Sequence, residues 1–167
     1  MRYIPGRIVV FILLFPFQLL AQKTRLTVPT GHLNTPRSIA VSPNGKWMAS
    51  TDYNHIIIWN AINGSQLKTL TLQKSIESIS WFPDNLTLAV QEEDYPVDTI
   101  FKLNIQTAER LGMAVVDDVY RMRVSHDGKY ILLSGKGNIR VMDAATMQVV
   151  QTIEADNKNM QVTIYTS

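Results

Sequence analysis

Three stretches of the chain follow one pattern at a near-constant interval: Ile39-Ala-Val-Ser-Pro-Asn-Gly-Lys46, Ile79-Ser-Trp-Phe-Pro-Asp-Asn-Leu86 and Met122-Arg-Val-Ser-His-Asp-Gly-Lys129. Each is followed by an apolar run and then by a β-branched run: Ile56-Ile-Ile-Trp-Asn60, Ile100-Phe-Lys-Leu-Asn104 and Ile139-Arg-Val-Met-Asp143. Ser42, Phe82 and Ser125 occupy equivalent places, 40 and 43 residues apart, and a further step of 42 reaches Ser167 within Ile164-Tyr-Thr-Ser167. This period constrains the fold strongly. A unit of about 42 residues built from short strands and turns cannot bury both faces of its own sheet, so it must stack on its neighbours.

Each unit parses into four strands. The first gives Ser38–Ser42, Trp47–Thr51, Ile56–Asn60 and Gln66–Leu72. The second gives Ser78–Phe82, Thr87–Gln91, Thr99–Asn104 and Glu109–Met113, and the third Arg121–Ser125, Tyr130–Ser134, Ile139–Asp143 and Val149–Ala155. Turn-forming residues separate them: Pro43, Asn44-Gly45, Asn63-Gly64, Pro83-Asp84 and Asp127-Gly128. Strands this close pair with their sequence neighbours as an antiparallel meander. The expected fold class is all-β: propeller blades of four antiparallel strands, three blades plus the first strand of a fourth, preceded by an N-terminal signal helix. Propellers usually close with four to eight blades, so the remaining blades are expected beyond Ser167. The chain's own Arg25-Leu-Thr-Val28 sits where a closing strand would.

The first 21 residues read separately. Arg2 and Arg7 precede an apolar run from Ile8 to Leu20, followed by Ala21. This is the order of a cleavable signal peptide, and the run is shorter than the roughly 20 residues that span a bilayer; an uncleaved anchor is the alternative. The domains expected are a signal peptide over 1–21, a strand or linker over 22–30 and a partial propeller over 31–167. Secretion, or placement in the periplasm or cell envelope, follows from that reading. The whole chain carries 16 Lys+Arg against 14 Asp+Glu. Arg2 and Arg7 supply that excess, so the remainder is balanced and gives no electrostatic reason to bind nucleic acid. With no cysteine, disulfides and thiolate zinc sites are excluded.

The first repeat resembles a WD-repeat. Gly31-His32 lies ahead of Ser42-Pro-Asn-Gly45, Met48-Ala-Ser50 and Trp59-Asn60, close to the family's Gly-His … Ser-Pro-Asp-Gly … Leu-Ala-Ser … Trp-Asp frame. The resemblance implies that His32, Ser50, Asp52 and Trp59 form a hydrogen-bonded structural chain, with Asn60 in place of the final aspartate. The turn carrying Asp52 is one residue shorter than the family pattern. The second repeat has Leu103-Asn104 and the third Met142-Asp143 where Trp-Asp would stand. The third is also similar to YVTN-type repeats through Asp143-Ala-Ala-Thr-Met-Gln-Val-Val-Gln-Thr-Ile153.

Apparent chemical motifs have plainer readings. Ser125-His126-Asp127 occupies the place of Ser42-Pro43-Asn44, and contiguous residues cannot orient a hydroxyl, an imidazole and a carboxylate in series; it is read as a turn. His32, His55 and His126 lack metal-ligand spacing. Glu92-Glu-Asp-Tyr-Pro-Val-Asp98 holds four carboxylates in a lengthened connection, but it matches no calcium loop and is read as a solvated loop. Trp47, Trp59, Trp81 and Tyr130 are assigned to packing between blades. Arg121, Arg123 and Arg140 are read as solvated or as partners of Asp117-Asp118. The apolar series Ile39, Val41, Ile79, Trp81, Met122 and Val124 on the first strands argues against a polar channel site.

The functional expectation is a non-catalytic scaffold or protein-interaction module, binding through loops at one end of the propeller, Glu92–Asp98 among them. No catalytic, cofactor-binding or metal-binding residue is assigned, and no cofactor. The partner is a protein; no nucleic acid is expected, and no membrane once the signal is removed. The alternative is an accessory propeller domain of a longer exported hydrolase whose catalytic part lies beyond Ser167.

Overall fold

The computed structural model of the protein describes residues 31–154. The signal segment over 1–21, the Arg25–Val28 strand and the fourth-unit strand near Ser167 lie outside the described residues.

Twelve strands form three four-stranded antiparallel sheets, each a simple meander. Blade 1 comprises β1 (Ser38–Val41), β2 (Trp47–Thr51), β3 (His55–Asn60) and β4 (Gln66–Thr71). Blade 2 comprises β5 (Ile76–Trp81), β6 (Thr87–Asp94), β7 (Val97–Asn104) and β8 (Arg110–Asp117). Blade 3 comprises β9 (Val119–Val124), β10 (Tyr130–Gly135), β11 (Asn138–Asp143) and β12 (Gln148–Glu154). The three blades thus agree with the all-β, four-stranded reading of the repeat.

The turns explain why such different sequences make the same blade. Ser42 Oγ donates to Asn44 Oδ1 at 2.8 Å and accepts from Trp47 N at 2.9 Å. Ser125 repeats this with Asp127 Oδ1 at 2.7 Å and Tyr130 N at 3.0 Å. In blade 2 Asp84 does the work, accepting from Leu86 N and Thr87 N, both at 2.9 Å. At the turn after the third strand, the side-chain oxygens of Asn60, Asn104 and Asp143 each accept two backbone amides. Only an oxygen acceptor is needed there, so asparagine replaces aspartate without loss.

Two cores lie between the blades. Ile58, Ile79, Trp81, Leu88 and Phe101 are buried between blades 1 and 2, and Ile100, Met122, Ile131, Leu133 and Met142 between blades 2 and 3. Hydrogen bonds also join each blade to the next. Ser38 Oγ accepts from Ile79 N at 3.2 Å and Ser80 Oγ from Val124 N at 3.0 Å; Lys68 Nζ reaches Ile105 O at 2.9 Å and Lys102 Nζ reaches Ala144 O at 2.7 Å.

Three residue-level expectations change. Ile79, Trp81 and Met122 fill the cores between blades, and Ile39 and Val41 are exposed on the outer face of blade 1. The first-strand series therefore reports packing, not a channel wall. Tyr130 is 40% exposed, outside the buried core and at the rim of a groove between blades 2 and 3. The largest correction concerns Glu92–Asp98. It is not a solvated loop: β6 and β7 continue their ladder through Glu92↔Thr99, Glu93↔Asp98 and Asp94↔Val97, leaving a two-residue tip of Tyr95 and Pro96. Glu92 is 2% exposed. Its charge is met by Arg110, whose Nη1 and Nη2 approach the carboxylate at 3.1 and 2.7 Å.

Candidate functional site

The polar chain implied by the first repeat runs from Trp59 through Ser50 to His32, with Asp52 beside the imidazole but not hydrogen-bonded to it. Trp59 Nε1 donates to Ser50 Oγ at 2.7 Å, and Ser50 Oγ lies 2.6 Å from His32 Nε2. If Ser50 accepts from Trp59 and donates to Nε2, the remaining proton of His32 is on Nδ1, facing Asp52 Oδ2 at 3.3 Å. That contact lies outside hydrogen-bond geometry. Asp52 Oδ1 accepts from His55 N at 3.0 Å and sits 2.9 Å from His55 Nδ1, so the shorter turn still delivers its aspartate. Burial pushes the Asp52 carboxyl up, but the side-chain and backbone hydrogen bonds of His55, with His32, outweigh it and hold the carboxyl below its ordinary value.

These residues lock β2, β3 and the strand-connecting turn together. Blades 2 and 3 replace the chain wholesale: Val90 and Leu103, then Leu133 and Met142, take the places of Ser50 and Trp59, and all four are buried. A single polar member kept among these apolar replacements would be buried without its partners. Ser125 and Asp127 bond to each other with no imidazole between them. Among the described residues no group of three or more His, Cys, Asp or Glu could hold a metal ion.

The meander order puts the β2–β3, β6–β7 and β10–β11 tips at one end of the blades, with the β4–β5 and β8–β9 connections. Here the β6–β7 hairpin projects, and Tyr95 at its tip is 95% exposed. Below it lies a cleft of about 370 Å³ between blades 2 and 3. Glu77, Glu93, Asp98 and Asp118 line it, with Tyr95 and Tyr120. Arg37 pairs with Glu77, lies 3.7 Å from Glu93 and donates to Ser75 Oγ at 3.0 Å. Asp98 Oδ2 accepts from Val119 N at 2.9 Å. Arg140, 8% exposed, holds the rim from behind, bonding Asp117 Oδ1 at 2.8 Å and the carbonyls of Asp117 and Asp118 at 2.6 and 3.2 Å. Arg121 and Arg123 are exposed.

The residue that the sequence reading missed is Gln91, which also lines this cleft and is 1% exposed. Its Nε2 donates to Val119 O at 2.6 Å, and its Oε1 has no partner. In the aligned second strands Gln91 replaces the hydroxyls of Thr51 and Ser134. A long amide in a column of small hydroxyls was the available signal. A larger groove of about 490 Å³ lies on the outer face of blade 1, over Ile39, Met48 and Trp59.

The family described as "WD domain, G-beta repeat" matches residues 23–60. Ribosome biogenesis protein bop1-B of Xenopus laevis is 34% identical over 61 residues, 36% of this chain and 8% of its own length. Ribosome biogenesis protein ERB1 of Scheffersomyces stipitis is 32% identical over 98 residues, 51% of this chain and 12% of its own length. The matched part of the chain thus spans about a tenth of these relatives. Two solved structures share the fold. The Cps50 (Swd1) β-propeller domain of Myceliophteria thermophila has a TM-score of 0.62 at 15% identity, covering 75% of this chain and 43% of the domain. Hydrazine synthase of Kuenenia stuttgartiensis has a TM-score of 0.61 at 19% identity, covering 77% of this chain and 39% of that one. At such identities the likeness bears on fold alone, so the enzyme among them says nothing of catalysis here.

The curated likeness corrects one expectation. These relatives are ribosome biogenesis proteins, which work where ribosomes are built, inside the cell, so the secreted or periplasmic assignment does not stand. The motif in residues 31–60, the matching family and the three meander blades agree: residues 23–60 match a WD repeat, and the described residues have the fold of β-propeller blades.

Proposed function

We propose that the chain is a non-catalytic scaffold module that holds a protein partner at the end of the blades carrying the β6–β7 hairpin. The observation that carries this reading is the hairpin itself. It projects a 95% exposed tyrosine, Tyr95, on strands whose base is buried at Gln91 and Glu92, and Tyr120 lines the cleft beneath it at 64% exposure. Recognition is commonly placed on loops and tips held by a rigid scaffold, and tyrosine is enriched where proteins meet. Relatives named for ribosome biogenesis support an assembly role.

A peptide array probed with the full chain tests this. Wild-type chain should capture discrete peptides, and the double variant Tyr95→Ser/Tyr120→Ser should lose at least about tenfold in signal. Asn63→Ser, at the opposite end, should leave capture unchanged. Equal capture by all three chains would contradict the proposal.

A further inference from the structure

We infer that the cleft beneath the β6–β7 hairpin receives a cationic side chain, the guanidinium of arginine or the ammonium of lysine, from a segment of a protein partner. This rests on the proposed protein-binding role of that end and names what it recognises.

The first observation is Gln91. Its amide orientation is fixed, because turning it over would set Oε1 against Val119 O, only 2.6 Å from the present Nε2. Oε1 is therefore an acceptor, buried and without a donor, in a residue that is 1% exposed and lines the cleft. A buried unpaired acceptor is unfavourable, and a ligand satisfies it only by bringing an N–H or O–H.

The second observation is the charge of the walls. Four carboxylates line the cleft, and Arg37 meets Glu77 and Glu93. Asp98 and Asp118 have no basic partner among the described residues, although Asp98 accepts one backbone amide. Lys74 pairs with Asp94, which is not among the cleft's lining residues. A phosphate or carboxylate ligand would meet like charge and could not donate to Gln91. A bare divalent ion finds no cluster of three ligands among the described residues. An organic cation meets every requirement: it donates, it is positive, and it can lie against tyrosine rings, here Tyr95 and Tyr120. The adjoining blades show the same chemistry in use, with Lys68 and Lys102 ammonium groups set against backbone carbonyls.

Fluorescence anisotropy with the full chain and labelled Gly-Gly-X-Gly-Gly peptides provides the test, with X as arginine, lysine, citrulline or glutamate, beside an oligouridine RNA. Arginine or lysine should bind at least about tenfold more tightly than citrulline, their neutral comparison, and glutamate and RNA should not compete. Asp118→Asn should weaken the cationic peptide about tenfold. Asparagine tolerates the left-handed backbone at that position, where φ is 46°, so the variant keeps its fold. Glu109→Gln, at the opposite end of blade 2, should change nothing. Equal binding of arginine, lysine and citrulline peptides, or full affinity in Asp118→Asn, would overturn the cation assignment. If neutral peptides bind and Tyr95→Ser/Tyr120→Ser abolishes it, the interaction role stands and only this inference fails. If that double variant binds every peptide like wild type, both fail. RNA binding that outcompetes the cationic peptides would also overturn it.

Discussion

Glu92 and Arg110, 18 residues apart on β6 and β8, form a two-pronged ion pair across β7, with the guanidinium 3.9 Å from the centre of the Phe101 ring. The carboxylate is almost wholly buried and the arginine side chain is 39% exposed. One residue thus neutralises the base of the projecting hairpin and covers an aromatic of the first core. Removing Arg110 strands a buried charge, whereas removing both partners does not. Arg110→Ala should cost about 2 kcal/mol, a figure reduced for the arginine's exposure. Adding Glu92→Met to it should recover part of the loss. Urea midpoints of the singles and the double, at constant slope, check the non-additivity.

Ser50 is the hub of the polar chain in blade 1, touching both Trp59 Nε1 and His32 Nε2. Ser50→Ala leaves both nitrogens without that partner and should destabilise by about 2 kcal/mol. The equivalent change in blade 2, Val90→Ala, acts by a different route, through lost apolar contact. Trp59 fluorescence would separate them: its environment should change in Ser50→Ala and not in Val90→Ala.

Asp52 gives the fold a defined acid sensitivity. Its carboxyl is held below the ordinary value of 3.8 by His55 and His32 against the opposing effect of burial. The unfolded chain therefore binds the proton first as pH falls. The stabilisation is full above about pH 4 and is lost as pH drops through the lower folded value. The gap in urea midpoint between wild type and Asp52→Asn should be constant near pH 6 and shrink below about pH 4.

Gly135 is required by space. A Cβ there would stand 2.1 Å from Asp118 O and 2.8 Å from Arg140 Nη2. Gly135→Ala should push the Asp118 rim away from Arg140 and destabilise blade 3 by about 2 kcal/mol. By contrast, Gly137→Ala meets open space and carries only the strain of φ +79°, about 1 kcal/mol. Thermal midpoints of the two variants should rank in that order.

Much of this was readable from the repeat. Period and turn residues place all three blades within a few residues, because a blade's strands pair only with sequence neighbours. His32, Ser50, Asp52 and Trp59 were legible as a structural chain only through the first repeat's resemblance to a WD-repeat. Glu92–Asp98 was misread because four carboxylates look like a solvated loop until β8 brings Arg110 alongside. Gln91 was missed for a related reason: its long amide stands out among the aligned hydroxyls, but only the stacking of blade 3 sets it against Val119 and buries it. Local pattern determines the blade, while partners supplied by the next strand or the next blade determine the cleft.

The most direct test of the account is the side-chain amide resonance of Gln91 in full-length, glutamine-labelled chain titrated with the arginine peptide. The account predicts a saturable shift of the Gln91 amide, with Gln66 and Gln106 at the other end of the blades unmoved. Shifts at Gln66 or Gln106 with Gln91 unchanged would contradict it.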